Sequence, residues 1–595
     1  MTDYKAPLRD IRFVADELWD YDKHYQSLSG TEEVNGELRD AILGEAAKFA
    51  EQVIGPLRRS GDEEGCTWSE EGVTTPSGFK EAYQQFIEAG WTGLSVPEEF
   101  GGQGLPTSLE LMASELIGQA NHSWSAYPGL SAGARETVLA HGTEEQQQAY
   151  LPKLVSGQWT GTMCLTEPQC GSDLSFLRTK ANPNSDGSYS ITGTKIFISA
   201  GEHDLTDNII HIVLARLPDA PPGNKGISLF IVPKFIPNAQ GETGARNGVS
   251  CGSIEHKMGI HAQATCVLNF DGATGYLIGG ENEGLKCMFT FMNTARLGTA
   301  VQGLNHAEVA LQGALSYALE REAGRSLTGV KSPDRPADKL IVHPDVRKML
   351  LTIRAFSEAH RALYLFLAQQ ADKEQRGTEE QKREGAELMA LLTPIAKGFM
   401  TETGLEAASI GVQVYGGHGF IREWGMEQNL RDARISTLYE GTTGIQALDL
   451  LGRKIMGDGG AMFGRFAKRV AADCAEMDQA YASQIQQKLA EWGELATSIG
   501  GKGMKNPDEI GAASVDFLMY SGYVIHAWLW GKMGTLAKAK LAEGDDVFYR
   551  AKVATADFYF AKILPRTETH KVGIEIGGES LMSLSDSDFE ALAEL

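Results

Sequence analysis

A single carboxylate, Glu440, lies in a short segment in which the sequence gives it no obvious structural partner. The positions three and four residues away hold Ser436, Thr437, Thr443 and Gly444. Because none of these is basic, no helical ion pair explains the glutamate. Gly441 leaves room for a ligand beside the backbone, and Thr442 or Thr443 can cap the apolar helix that follows. Two interpretations stand: a catalytic carboxylate, or a solvated glutamate favoured by the dipole of that helix.

A second candidate site is segment 413–420, which contains three glycines after an amphipathic helical pattern. Missing side chains would let the backbone approach a phosphate-bearing cofactor. The segment is not a strand-to-helix dinucleotide-binding fingerprint, because no strand precedes it and the glycine spacing differs. The alternative is a helix C-terminus closed by a left-handed glycine, with His418 as a packed loop histidine.

The composition predicts a large globular protein without nucleic-acid or metal chemistry. The length of 595 residues predicts several domains, and a hydrophobic content of 42% is enough to bury large cores. A formal net charge of −24 with no evident basic patch disfavours nucleic acid and anionic lipid as partners. The seven cysteines form no metal-ligand or disulfide pattern.

Two further features concern location. The N-terminal residues lack a basic segment followed by an apolar run, so secretion is not indicated. The most apolar stretch, 512–534, contains Asp516, His526 and Lys532, so it is predicted to be a buried helix and not a transmembrane segment. The predicted location is cytoplasmic.

Hydrophobic periodicity divides the chain into five predicted parts. They are an aromatic-rich extension that packs on another element (1–35), an α-helical domain (36–155), a β domain (156–284), a bundle of long helices (285–456) and a further helical domain (457–595). Strands are predicted for 189–199, 211–217, 227–233, 258–270 and 273–278. Asp186-Gly187 indicates a hairpin turn. These strands predict a β-barrel or sandwich.

Four motifs in this order resemble the acyl-CoA dehydrogenase family of flavoproteins. They are CLTEPQCGSD (164–173), KIFIS (195–199), QVYGGHGF (413–420) and RDAR (431–434) leading to YEGT (439–442). The resemblance covers roughly residues 40–455. It implies a multi-domain α+β fold with an N-terminal α-helical domain, a central β-barrel and a C-terminal four-helix bundle. The flanking parts look like the large bacterial branch with an extra C-terminal helical domain, which includes long-chain acyl-CoA dehydrogenases and 3-methylmercaptopropionyl-CoA dehydrogenases.

The resemblance implies that FAD is the cofactor. The implied FAD-binding residues are Met163, Leu165, Thr166, Gly171, Ser172, Phe197, Ile198, Ser199, Arg321, Gln413, Gly416, Gly417, Thr442 and Gly444. Hydroxyl and strand-end N–H groups near Thr166 suit the polar edge of a flavin; the alternative is a turn in which Thr166 and Asp173 bond local backbone. A core strand is the alternative for 197–199. Arg321 could instead be a routine helix-end cation, and Arg325 is a rival because an insertion up to about residue 340 replaces the loop usual in the family.

The substrate residues implied by the resemblance are Ser172, Asn293, Arg296, Tyr439 and Gly441. Asn293 stands where the family has an aspartate, so Arg296 keeps the anion-binding role more securely. Gly444 replaces a glutamine common in the family, which removes one side-chain contact to the cofactor.

The resemblance also implies the reaction. Glu440 would abstract the α-proton of an acyl-CoA thioester while FAD accepts the β-hydride. A general base and donors to the thioester oxygen are what this chemistry requires. Electrons would pass to electron-transfer flavoprotein, and the cross-subunit cofactor contacts imply a homodimer. The substrate is predicted to be a medium- to long-chain acyl-CoA or 3-methylmercaptopropionyl-CoA. Alternatives are an acyl-CoA oxidase, a flavin monooxygenase, or a DNA-binding or protective flavoprotein on the same scaffold. The presence of Glu440 counts against the monooxygenase, and the excess of acidic residues counts against the DNA-binding or protective protein.

Overall fold

Helices occupy both ends of the chain and strands its middle in the computed structural model, which describes residues 3–594. In chain order the α-helices are α1 (Leu8–Arg12), α2 (Tyr21–Gln26), α3 (Gly36–Phe49), α4 (Leu57–Glu64), α5 (Phe79–Glu88), α6 (Thr107–Ala120), α7 (His122–His141), α8 (Glu144–Val155), α9 (Gly284–Glu320), α10 (Pro344–Arg376), α11 (Glu379–Tyr415), α12 (Met426–Arg434), α13 (Thr443–Leu448), α14 (Ala461–Cys474), α15 (Gln479–Gly503), α16 (Asp508–Glu543), α17 (Val547–Phe558), α18 (Thr567–Ile576) and α19 (Asp586–Ala593). The strands are β1 (Thr67–Ser69), β2 (Gly72–Thr74), β3 (Trp159–Cys164), β4 (Lys180–Pro183), β5 (Tyr189–Ser199), β6 (Asn208–Ala215), β7 (Ser228–Pro233), β8 (Phe235–Pro237), β9 (Thr243–Arg246), β10 (Val249–Ile254) and β11 (Thr265–Ile278). The predicted multi-domain α+β class is confirmed.

The described residues form two compact units, which are described separately. The first comprises residues 3–8, 31–305 and 422–435, and the second comprises 9–30, 306–421 and 436–594. The long helix α9 changes unit after Asn305. Within residues 3–594, no helix combines the length and the apolar character needed to cross a membrane.

The main sheet of the first unit has the hydrogen-bonded order β3-β6-β7-β11-β5-β4, with β10 also pairing β11. Only the β3–β6 pair is parallel among these neighbours. The hairpin predicted at Asp186-Gly187 joins β4 to β5. Among the described residues no ladder joins β3 to β4, so closure of this sheet into a barrel stays a prediction.

The strand predicted for 258–270 is wrong in its first half. Backbone geometry breaks it: Ile260 has φ +48°, its N–H donates to the carboxylate of Asp432 at 2.6 Å, and a Cβ on Gly259 would lie 2.6 Å from the backbone of Arg431. The chain therefore turns here to pack against α12. The second half of this predicted strand and the strand predicted for 273–278 form one strand, β11, which continues through a register shift at Gly272.

The main sheet of the first unit contributes to two apolar clusters among the described residues. One includes Trp159, Ile210, Ile212 and Phe291 and extends to α7, α8 and α9. The other includes Ile191, Ile198, Phe230 and Leu268. Alternate residues of one strand enter different clusters, as the two-residue period of a strand requires. One face of the sheet thus packs against helices, and the side chains of the other face pack mainly against side chains of the sheet's own strands.

Long helices dominate the second unit. The helices α10 and α11 pack along each other, and Thr378 and Gln381 form a capping box at the start of α11. The stretch 512–534 is a buried helix, as predicted, within α16. Close approach of α11 and α16 requires Gly522, because a Cβ there would lie 2.1 Å from the ring of Phe399.

The N-terminal extension packs on this unit through aromatic side chains. The indole N–H of Trp19 donates to the carbonyl of Ala362 at 3.0 Å, and the hydroxyl of Tyr21 donates to the carbonyl of Leu365 at 2.7 Å. Both acceptors lie on α10. The predicted packing of the extension is therefore observed.

A buried ionic cluster lies within the second unit, with Lys552 of α17 fully buried at its centre. Its ammonium bonds Asp10 and, at 2.8 Å, Glu358. Three carboxylates and three cations make up the cluster: Asp10, Glu308, Glu358, Arg354, Arg361 and Lys552. The equal numbers of opposite charges satisfy the requirement that buried charges be paired.

Two buried histidines lie close together in the second unit. The rings of His360 and His526 lie 5.0 Å apart, and neither ring nitrogen of His526 has a hydrogen-bond partner among residues 3–594. Burial lowers the pKa of His526 to about 3. Because this value lies below the value of about 6.5 expected in an unfolded chain, the unfolded state binds the proton first. Stability from this group is complete above about pH 6.5 and is lost as the pH falls.

We therefore expect His526→Phe to stabilise the protein. At neutral pH the free energy of unfolding should rise by about 1–2 kcal/mol, because two unsatisfied buried nitrogens disappear. The loss of stability between about pH 6.5 and 4 should become shallower. Urea unfolding across this pH range checks both effects, with the exposed His256→Phe as control. An unchanged pH slope in His526→Phe would contradict the expectation.

Candidate active site

The segment around Glu440 is held in a strained backbone conformation. Glu440 has φ +56° and Gly441 has φ +89°. A left-handed conformation costs a residue other than glycine roughly 1–2 kcal/mol, and such strain concentrates at functional sites. The Glu440 side chain is neither fully buried nor fully exposed. The strained backbone favours the catalytic interpretation over that of a solvated helix-start glutamate.

The helix that follows begins as predicted. Thr442 caps α13, and its hydroxyl oxygen accepts a hydrogen bond from the N–H of Ile445 at 3.3 Å. Thr443 is not the cap: its hydroxyl donates to the carboxylate of Glu402 at 2.5 Å. Gly444 has open space around it except for the Thr442 hydroxyl, which a Cβ would meet at an ordinary 3.8 Å. Tyr439, Glu440 and Gly441 therefore precede a well-defined helix start.

The glycine-rich segment follows the last residue of α11, Tyr415. Gly416 has φ +58° and ψ −135°, a region essentially restricted to glycine and distinct from the left-handed helical region. The alternative of an ordinary left-handed glycine cap is therefore wrong. A Cβ at Gly416 or Gly417 would meet no atom within 4 Å, so both positions are open to a ligand. Gln413 lies in the last turn of α11, and its carbonyl accepts the N–H of Gly416.

Aromatic contacts fix this segment. The rings of Tyr317 and Tyr415 stack with centroids 4.3 Å apart, and the hydroxyl of Tyr317 bonds Nδ1 of His418 at 2.9 Å. A Cβ on Gly419 would lie 2.2 Å from the carbonyl oxygen of Val412, so the chain folds back closely there. The interpretation of His418 as a packed loop histidine agrees with these contacts.

The structure separates the two rival arginines. Arg325 braces the insertion: its guanidinium bonds the carbonyls of Ser332 and Arg335 and the buried carboxylate of Asp338. Arg321 directly follows α9 and is exposed. Arg325 is thus occupied by the loop itself, which favours Arg321 as the arginine that contacts a ligand.

In the first unit, the predicted cofactor segments lie at the ends of β3 and β5. Phe197 has φ +58° and is 59% exposed. The register of β5 on β11 shifts between Lys195 and Ile198, so Ile196 and Phe197 form a bulge, and the N–H of Ile196 donates to the carbonyl of Thr166 at 2.9 Å. A core position for Phe197 is therefore wrong, although Ile198 is buried as in a core strand.

The remaining predicted residues of this region are accessible. Met163, Leu165, Thr166 and Ser199 are half-buried, and Gly171 and Ser172 are exposed. Asp173 accepts the N–H of Ser175 at 2.9 Å, which is the local turn considered as the alternative for this residue. An accessible aromatic ring and accessible hydroxyl groups in these segments suit an isoalloxazine, whose polar edge takes hydrogen bonds.

A buried ion pair ties these two segments together and was missed at the level of sequence. Lys195 is fully buried, and its ammonium donates to the carboxylate of Glu167 at 2.9 Å and to the carbonyl of Leu165 at 3.0 Å. Glu167 also accepts hydrogen bonds from Gln169, the backbone N–H groups of Arg178 and Thr179, and the Thr179 hydroxyl. Burial opposes ionisation, but the Lys195 charge and these hydrogen bonds lower the pKa of Glu167 to about 2. Glu167 lies in the motif 164–173 and Lys195 in the motif 195–199. The two-residue period of a strand places Lys195 on the same face as the buried Ile191.

The predicted anion-binding pair lies on α9 within the first unit. Asn293 is exposed, whereas Arg296, one turn later, is only 8% exposed. The better-anchored side chain is therefore the arginine.

Comparison with known proteins agrees with this order of elements. Residues 37–158, 162–273 and 282–456 match the N-terminal, middle and C-terminal domains of acyl-CoA dehydrogenase, and residues 466–585 match the acetyl-CoA dehydrogenase C-terminal-like domain. The chain belongs to the acyl-CoA dehydrogenase family. Members are FAD-dependent oxidoreductases, and this protein is an enzyme of that class.

Two of the relatives that match over nearly the whole chain serve as examples. The 3-methylmercaptopropionyl-CoA dehydrogenase of Ruegeria pomeroyi is 44% identical over 98% of this chain and 100% of the relative. The broad-specificity linear acyl-CoA dehydrogenase FadE5 of Mycobacterium tuberculosis is 33% identical over 99% and 100%. The fold is similar to the acyl-CoA dehydrogenase of Bacillus anthracis in complex with FAD, with a TM-score of 0.73, 21% identity, and coverage of 96% of this chain and 92% of that chain.

Proposed function

We propose that the protein oxidises 3-methylmercaptopropionyl-CoA to its trans-2-enoyl thioester, with Glu440 as the base for the α-proton. The observation that supports this most is Glu440 itself, which is partly accessible and has a strained backbone two residues before Thr442, the N-cap of α13. The substrate is inferred from the Ruegeria pomeroyi relative, which is similar over its entire length. Medium- and long-chain acyl-CoA thioesters are the competing substrates.

The proposed chemistry assigns a proton transfer to this chain. The Glu440 carboxylate accepts the α-proton, and its backbone N–H would donate to the thioester oxygen as negative charge develops there. Arg296 would neutralise phosphate groups of CoA, because a guanidinium suits anionic oxygens. Ser172, Asn293, Tyr439 and Gly441 are the other proposed substrate contacts. Exclusion of water by the bound thioester would strengthen the base, because desolvation disfavours a carboxylate.

The residues present fit FAD. Phe197 offers an exposed aromatic face, Thr166 and Ser199 offer hydroxyl groups, and the open glycines 416 and 417 suit a phosphate-bearing segment. Met163, Leu165, Gly171, Ser172, Ile198, Arg321, Gln413, Thr442 and Gly444 complete the proposed set of contacts. When bound, FAD supplies the hydride acceptor that no side chain provides.

Electron-transfer flavoprotein is the proposed electron acceptor, and a homodimer is the proposed assembly. Both follow from membership of the family, and the sequence has no second redox motif. Turnover with electron-transfer flavoprotein, compared with peroxide release in air, distinguishes a dehydrogenase from an oxidase. Light scattering of the purified holoenzyme measures its assembly.

A substrate panel tests the proposed activity. We expect kcat/KM to be highest for 3-methylmercaptopropionyl-CoA when it is compared with butyryl-, octanoyl- and palmitoyl-CoA under the same acceptor conditions. A higher kcat/KM for palmitoyl-CoA would overturn the substrate assignment while leaving the reaction type intact. No bleaching of bound FAD by any acyl-CoA would overturn the proposed function.

The Glu167–Lys195 pair predicts an effect on cofactor affinity. We expect Glu167→Gln to weaken FAD binding by about tenfold or more, because hydrogen bonds to a charged group contribute about 1.5–3 kcal/mol and about 1.4 kcal/mol corresponds to a factor of ten. FAD titration of the apoprotein, followed by flavin fluorescence, measures this affinity.

Glu110→Gln is the matched control for this effect. It removes one partner of an ion pair of the same unit, in which Arg135 and Glu110 are 2.9 Å apart on α7 and α6. This control should retain FAD affinity. Equal losses in the two variants would show that Glu167 supports only the general stability of the unit.

A further inference from the structure

A buried lysine from a distant part of the sequence contacts the segment that contains Glu440. Lys397 of α11 is fully buried, and its ammonium donates to the carbonyl of Gly441 at 2.6 Å. Forty-four positions of sequence separate the two residues. A lysine is among the least favourable residues to bury, and its neighbours Ile395, Ala396 and Phe399 belong to an apolar core. The charge therefore calls for an explanation that packing alone does not provide.

A second buried side chain holds the preceding carbonyl. Gln446 of α13 is fully buried, and its amide nitrogen donates to the carbonyl of Glu440 at 3.0 Å. A Cβ on Gly441 would lie 2.5 Å from that nitrogen, so glycine is needed for the amide to reach its acceptor. Two successive carbonyls, on two successive residues with positive φ, thus each have a side-chain donor.

The far side of the segment is fixed to the same helix. The hydroxyl of Thr443 donates to Glu402, which lies on α11 together with Lys397. The backbone is therefore attached to α11 on both sides of Thr442, while Thr442 itself caps α13. Rotation of the Glu440 backbone would break the contacts of Lys397 and Gln446 together.

We propose that Lys397 and Gln446 are positioning residues for the α-proton abstraction, an inference that rests on the proposed role of Glu440. Neither side chain is assigned a contact with substrate or cofactor. Their donors compensate the unfavourable backbone conformation of Glu440 and hold its carboxylate in one orientation. Orientation of this kind matters because a displacement of about 1 Å can reduce a rate by about 10²-fold.

The test compares Lys397→Met with Thr401→Val. Thr401 is also fully buried on α11, but among residues 3–594 its hydroxyl donates to the backbone carbonyls of Lys397 and Gly398 and not to the Glu440 segment. Stopped-flow bleaching of FAD by 3-methylmercaptopropionyl-CoA gives the rate of reduction, and titration with a 3-thiaacyl-CoA, which cannot be dehydrogenated, gives the affinity for the thioester. We expect Lys397→Met to lower the rate of reduction by about 10²-fold while FAD content and thioester affinity stay near those of the wild type. Thr401→Val should retain the wild-type rate.

A second variant covers the case in which Lys397→Met fails to fold. Gln446→Leu removes the other donor and keeps a side chain of similar size. Its rate of FAD reduction should likewise fall while its FAD content and thioester affinity stay near those of the wild type. Wild-type rates in Lys397→Met or Gln446→Leu would overturn the inference, as would equal rate losses in Thr401→Val. Two other results would instead overturn the proposed function: bound FAD of the wild type that acyl-CoA thioesters do not bleach, or bound FAD of Glu440→Gln that they bleach at the wild-type rate. The two failures are therefore distinguishable.

Discussion

Glu440→Gln is expected to lower the rate of FAD reduction by acyl-CoA by about 10⁴-fold, the upper end of what a positioned general base contributes. The amide has nearly the shape of the carboxylate but cannot accept the α-proton. The backbone contacts of this segment involve main-chain carbonyls and Thr442, so the substitution leaves them in place. Anaerobic stopped-flow absorbance measures the rate.

Glu406→Gln provides the matched control for this substitution. Glu406 lies on α11 in the same unit, pairs with Arg566 at 2.9 Å and is assigned no chemistry. In the Glu406→Gln enzyme, acyl-CoA should reduce FAD at the wild-type rate. FAD content and thioester affinity should be unchanged in both variants. Rapid bleaching in Glu440→Gln would require another residue as the base.

Lys552→Met is expected to destabilise the protein by about 3–5 kcal/mol, because removal of one member of a buried ionic cluster leaves uncompensated charge. Asp10 and Glu358 would lose their contacts with the ammonium, and Arg361 and Arg354 would face three carboxylates. The midpoint of urea unfolding reports the change. Lys538→Met, which removes a partly exposed ion pair with Asp478, should shift stability by only about 0.2–1 kcal/mol.

The same cluster is expected to contribute less to folding stability at acid pH. Burial opposes ionisation of Asp10, but Lys552 and Arg361 lower its pKa to about 2, below the ordinary value of 3.8. A carboxyl with a depressed pKa contributes stability above its ordinary value and loses it as the pH falls towards the folded value. We expect the wild type to lose this contribution between about pH 4 and 2.

Equal stability of Lys552→Met and Lys538→Met at neutral pH would contradict the role of the cluster.

Local patterns are sufficient to predict much of the fold. The two-residue period delimits β5 to the residue, and the apolar stretch containing Trp528 and Trp530 lies in a buried helix, α16. The start of α13 is also local, because Thr442 caps it through the next turn. Helical and strand periods depend on neighbours a few positions away, and this is why they can be read from one sequence.

The errors arise where distant residues decide the local conformation. The strand predicted through Ile260 is interrupted by hydrogen bonding to Asp432, 172 positions later. Arg325 and Arg321 are equivalent as cations, and only the folded loop separates them, because there Arg325 contacts Asp338 and two backbone carbonyls. Lys397 looks like an isolated charge in a helix until its contact with Gly441 is known. The positive φ of Phe197 and Glu440 likewise depends on tertiary contacts, since propensity disfavours it.

The most direct measurement is exchange of the α-hydrogens of a 3-thiaacyl-CoA in deuterated water, followed by mass spectrometry. Sulfur replaces the β-carbon of this thioester, so no β-hydride can leave and proton abstraction is observed alone. We expect the wild-type holoenzyme to incorporate deuterium and Glu440→Gln to incorporate none above the uncatalysed background. Wild-type exchange by Glu440→Gln would show that Glu440 is not the base.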